Sequence, residues 1–117
     1  MTLNEYQIGA MRTAPVQNYK QENDMLLNAV LGISGEGGEA ADIIKKTFFQ
    51  GHPLDKNHLV EEVGDCLYYI ALAATALGTS LDEIAFRNQE KLRARYPYGF
   101  DAERSLHREK EAKSLSF

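Results

Sequence analysis

Apolar residues recur along most of this chain at the three-and-four spacing of an α-helix, without the strict alternation that marks a half-buried strand. The starts and stops of that period predict four helices. Thr2-Leu-Asn-Glu5 matches a capping box, with Thr2 accepting from a backbone N–H and Glu5 reaching back. A short helix through Leu3, Tyr6, Ala10 and Met11 follows and ends before Pro15. The second helix runs from about Asn23 to Phe49 on a stripe of Leu26, Leu27, Val30, Ile33, Ala40, Ile43, Ile44 and Thr47. Gly32, Gly35, Gly37 and Gly38 interrupt its middle, and each costs about 1 kcal/mol relative to alanine. The period resumes in phase beyond them, which favours a continuous or mildly kinked helix whose small residues admit another backbone or a ligand.

Gly51 and Pro53 form the next turn, and Asp55 is a suitable N-cap for a third helix reaching about Leu77. Its apolar face is wide: Leu59, Val63, Cys66, Leu67, Tyr69, Ile70, Ala73, Ala74 and Leu77. Gly78 ends it. Ser80-Leu-Asp-Glu83 is a second capping box, opening a fourth helix that stops near Arg95, before Pro97. Residues 101–113 are mostly charged, and periodicity leaves them open as a solvated helix or a tail. The expectation is an all-α protein: a small bundle of about four helices over 1–104, then a charged C-terminal tail over 105–117.

Composition narrows the class. A chain of 117 residues, 44% hydrophobic and 26% charged, is sized for one small globular domain. A core this small makes an assembly of chains that shares it plausible. The formal charge of -4 repels a phosphate polymer, so no nucleic-acid polymer is expected as partner. A small phosphorylated ligand stays compatible if a cation inverts the local field. Cys66 is the single cysteine, which excludes an intrachain disulfide and a thiolate zinc cluster. No membrane span and no basic-then-apolar leader is legible, so a cytoplasmic protein is expected.

The acids carry the chemistry. Glu36 and Glu39 share one side of the second helix with Ala40 and Ile43; Glu62 and Asp65 share one side of the third with Cys66 and Tyr69. Both pairs lie on or beside the stripe that faces the core. Isolated buried carboxylates are expensive, and four together repel one another unless protons or cations neutralise them. Mg²⁺ prefers oxygen ligands and commonly joins carboxylates to phosphates, so an antiparallel pair carrying E-x-x-E and E-x-x-D is a reasonable Mg²⁺ cage. On the fourth helix, the stripe begun by Leu81, Ile84 and Ala85 continues as Asn88, Lys91 and Arg95. Those cations suit a negatively charged ligand, or else complement a helix C-terminus.

Other residues read as structure. Asp55-x-x-His58 has a metal-ligand spacing, but Asp55 serves as a cap and His58 as polar surface of the first turn. No histidine follows a glutamate by three, which removes a ferritin-like di-iron site. Cys66 is a small core residue; Tyr68, Tyr69, Phe48 and Phe49 serve core or interface, with one able to stack on a base. There is no P-loop.

Three blocks together, Gly35-Glu36-Gly-Gly-Glu39-Ala-Ala-Asp42, Glu61-Glu62-Val-Gly-Asp65 and Asn88-x-x-Lys91-Leu92-x-x-Arg95-Tyr96-Pro97, resemble the MazG-like nucleoside triphosphate pyrophosphohydrolases. The resemblance covers roughly residues 31–104, with a looser match at Tyr6-Gln7 and Arg12-Thr13-Ala14 to the N-terminal helix of small, phage-type members. It implies an all-α enzyme that hydrolyses a (deoxy)nucleoside triphosphate to its monophosphate and pyrophosphate, working as a homodimer or homotetramer. Glu36, Glu39, Glu62 and Asp65 would hold Mg²⁺, with Mn²⁺ as a substitute, and Glu36 or Glu39 would orient or deprotonate the attacking water. Asn88, Lys91 and Arg95 would bind the substrate. Two alternatives remain: a phosphoribosyl-ATP pyrophosphohydrolase-like enzyme, and a non-catalytic helical oligomerisation module.

Overall fold

A computed structural model describes residues 1–114, with side chains through residue 108. Among them are five α-helices: α1 (Leu3–Ala10), α2 (Asp24–Phe49), α3 (Lys56–Ala76), α4 (Leu81–Arg95) and α5 (Ala102–Ser114). The architecture is all-helical. Short 3₁₀ turns at Met11–Thr13 and Val16–Asn18 carry the chain from α1 to α2. The segment left open between solvated helix and tail is helical through Ser114, so the expected boundary at residue 104 falls inside α5; residues 115–117 of the expected tail lie outside the described residues.

The chain divides into two compact units, Met1–Asp82 and Glu83–Phe117. In the first, α2 and α3 pack along one another and α1 packs on α3. The ends form where their capping residues predict. Thr2 Oγ1 accepts from the Glu5 backbone N–H at 3.0 Å, and Asp55 Oδ1 from that of His58 at 3.0 Å. Past α3, Gly78 takes φ +70°, a conformation L side chains rarely adopt, and the Thr79 N–H returns to the Ala74 carbonyl at 2.9 Å. Gln7 ties α1 to this turn: its amide N–H groups donate to Thr75 Oγ1 (3.1 Å) and the Thr79 carbonyl (3.0 Å), while its Oε1 accepts from the Leu81 N–H at 2.7 Å.

α2 runs unbroken through its glycines. Gly32 shows the close approach: a Cβ there would meet the Tyr69 ring at 2.2–2.4 Å. At Gly35, Gly37 and Gly38 a Cβ would meet nothing within 4 Å, so packing does not require glycine there.

The apolar faces are only partly filled. Among the described residues, the buried hydrophobic ones are Ala29, Ala71, Leu72, Ala74 and Leu81. Leu27, Val30, Val63 and Leu77, on stripes expected to face inward, are exposed, as are Leu31, Val60, Phe48 and Phe49. Two helices cannot cover stripes this wide; each buries the seam it shares and leaves the flanks to solvent.

In the second unit, Arg87 pairs with Glu83 at 2.8 Å and Arg93 with Glu90 along α4. Tyr96 and Phe100 pack with centroids 5.5 Å apart. Asp101 Oδ1 accepts from the Glu103 N–H at 2.9 Å and starts α5.

Candidate functional site

Three meetings set the register of α2 against α3. Gly32 takes the ring of Tyr69, Glu36 lies with Asp65, and Glu39 acts on Glu62. Rising positions on α2 meet falling positions on α3, so the helices are antiparallel. Both acidic pairs then fall at one level of the seam. One carboxylate oxygen from each of Glu36, Glu62 and Asp65 lies within 4.8 Å of the others. Glu39 adds a fourth negative group beside Glu62. Glu62 is buried, Glu36 half-buried and Asp65 exposed, so the cluster opens to solvent on one side.

The electrostatics follow from that crowding. The Glu62 carboxyl is pushed up to about 7, first by hydrogen bonding with Glu36, then by burial, then by the charges of Glu39 and Glu36. Two ionised carboxylates offer each other no donor, and the buried Oε2 of Glu62 has no hydrogen-bond partner. A proton shared between Glu62 and Glu36 satisfies the group; so does a cation. The Tyr6 phenol of α1 is likewise raised, by burial, by the Asp65 charge and by Tyr68.

A cavity of about 670 Å³ adjoins the cluster, walled by Gly35, Gly38 and Glu39 of α2, His52 and Pro53 of the turn, and His58 and Glu62 of α3. Gly35 and Gly38 therefore keep its α2 wall low. Farther along this wall Asp42 pairs with Lys46 at 2.9 Å and Lys45 at 3.1 Å, and hydrogen bonds from both ammonium groups hold its carboxyl below the usual range. His58, half-exposed in the first turn of α3, stands with its Nε2 3.3 Å from Glu62 Oε1. The readable signal was its place four residues before Glu62, which puts both on one helical face.

Asn88, Lys91 and Arg95 belong to the second unit. Asn88 and Lys91 are exposed and Arg95 is half-buried. Arg95 lines a groove of about 620 Å³ with Asp101, Arg104, His107 and Arg108, so its surroundings include α5. The aromatic candidates divide: Tyr69 packs over Gly32 with Tyr68 edge-on at 5.1 Å, whereas Phe48 and Phe49 are exposed.

The family described as MazG nucleotide pyrophosphohydrolase domain matches residues 24–100, which takes in α2, α3 and α4 and every carboxylate of the cluster. The chain is also similar to the Gene 37 protein of Mycobacterium phage L5, 30% identical over 105 residues, covering 85% of this chain and 92% of that one. No solved structure matches.

Proposed function

The chain belongs to the MazG nucleotide pyrophosphohydrolase family, and from that premise we propose that it hydrolyses a nucleoside or deoxynucleoside triphosphate to the monophosphate and pyrophosphate. The observation that carries this reading is the cluster of Glu36, Glu62 and Asp65, with Glu39 beside it and a buried, unpartnered oxygen on Glu62. Such a donor set fits a hard divalent cation: all oxygen, open on one side, and too negative to stay ionised alone. Glu36, Glu39, Glu62 and Asp65 would hold Mg²⁺, or Mn²⁺ in its place. When bound, the ion supplies charge neutralisation for the triphosphate and acidifies water at the site.

The remaining work falls to the chain. The oxygen of a water attacks the α-phosphorus, the bond to the bridging oxygen breaks, and pyrophosphate leaves. A carboxylate oxygen of Glu36 or Glu39 receives the water's proton. The amide of Asn88, the ammonium of Lys91 and the guanidinium of Arg95 bind the phosphate chain, whose charge grows on the leaving group. The working form is a cytoplasmic homodimer or homotetramer. The exposed Leu27, Val30, Leu31, Val60 and Val63 support it, because a second copy offers apolar flanks of the same kind.

Measuring pyrophosphate release from ribo- and deoxyribonucleoside triphosphates with Mg²⁺, and again in excess EDTA, tests the proposal. Turnover on the panel that stops on chelation is expected. Turnover of phosphoribosyl-ATP alone would replace it with the related hydrolase reading, and no turnover at all would favour a helical oligomerisation module.

A further inference from the structure

We infer that His58 is a positioning residue of the carboxylate cluster: its imidazole engages Oε1 of Glu62 and leaves Oε2 as the oxygen offered to a cation. The inference rests on reading the cluster as a cation site. Glu62 has three torsions to fix, and its surroundings on α2 do little to fix them. Gly35 and Gly38 bring no side chain, and Glu36 and Glu39 repel an ionised neighbour. His58 is a different kind of neighbour. It lies one turn earlier on α3, in a turn whose start is held by the Asp55 cap. Its ring reaches from the cavity wall, 52% exposed, to a carboxylate side chain only 9% exposed, with Nε2 at 3.3 Å from Oε1. The two oxygens of Glu62 are unequal: Oε1 faces the imidazole, and Oε2 is buried without a hydrogen-bond partner. Groups that orient a metal-binding carboxylate without touching the ion typically alter affinity by about 10–100-fold.

The test is Mn²⁺ binding to the full chain by calorimetry, without nucleotide. His58→Ala is compared with His58→Gln, whose side-chain amide restores a polar group of similar reach. Expected is binding weakened about 10–100-fold in His58→Ala and largely recovered in His58→Gln. Melting temperatures in EDTA should stay within about 3 °C of the parent for both, since the ring is half-exposed. Wild-type affinity in His58→Ala overturns the inference, as does equal loss in both variants. A magnetic-resonance signature of nitrogen bonded directly to Mn²⁺ that vanishes in His58→Ala also overturns it, since His58 would then be a ligand. No Mn²⁺ binding by the parent protein defeats the cation reading itself, an outcome distinct from a failure of His58 alone.

Discussion

Glu39 and Asp42 sit one turn apart on α2 and line the same cavity, yet their surroundings are opposite. Asp42 has Lys45 and Lys46 within 3.1 Å and a carboxyl held below its ordinary value. Glu39 joins Glu36, Glu62 and Asp65, where Glu62 is pushed up to about 7. One acidic region carries its counter-charge in the chain, four residues away on its own helix. The other gathers like charges from two helices and leaves their neutralisation to a proton or to something bound. The first arrangement is ordinary helix-surface pairing, worth little to stability. The second is costly to the fold, which makes it the place to look for a ligand.

The two regions should differ most in turnover. Asp65→Asn removes one carboxylate of the cluster and should lower kcat/KM on the order of 10³-fold, a ligand's share of several kcal/mol of transition-state stabilisation. Its melting temperature in EDTA should hold or rise, because a like charge has gone. Activity retained with a lower melting temperature would make the cluster structural. Next in size is Arg95→Ala. Charge-assisted contacts to the triphosphate worth about 1.5–3 kcal/mol correspond to roughly 10–150-fold in kcat/KM. If Arg95 instead only complements the end of α4, kinetics stay unchanged and the variant loses about 0.3–1 kcal/mol of stability, read as melting temperature.

Stability against pH separates the two regions by sign. Glu62 binds its proton more tightly folded than unfolded, so its contribution is present below about 4.5 and is lost as pH rises through about 7. The metal-free protein should therefore melt at falling temperature across that window, and Glu62→Gln should flatten the slope. An identical slope in the variant would remove Glu62 as its source. Asp42 works the other way, its contribution present above its unfolded value of about 3.8 and lost in acid as pH falls through the lowered value. The smallest effect is expected of Asp42→Asn, with kcat/KM within about twofold and Mn²⁺ affinity unchanged, since the pair is solvent-screened. A loss comparable to that of Asp65→Asn would erase the distinction between the regions.

Local chemistry made the helices legible. Thr2, Asp55 and Gly78 act through neighbours a few residues away, so their roles can be read without tertiary contacts. The i, i+3 spacing put Glu36 with Glu39 and Glu62 with Asp65 on single faces for the same reason. The register of α2 against α3 is a tertiary property. It decided that the two pairs fall at one level, that Gly32 rather than Gly35 or Gly38 is the glycine Tyr69 requires, and that Glu62 is the buried member. The contact of His58 with Glu62 was legible as spacing, but its weight depends on Glu62 being buried, which follows only from packing. The apolar stripes promised a filled core, whereas two packed helices bury one seam and leave Val30 and Val63 exposed. Periodicity tells a residue which face it occupies. What stands opposite that face is decided by the long-range contacts the chain makes once folded.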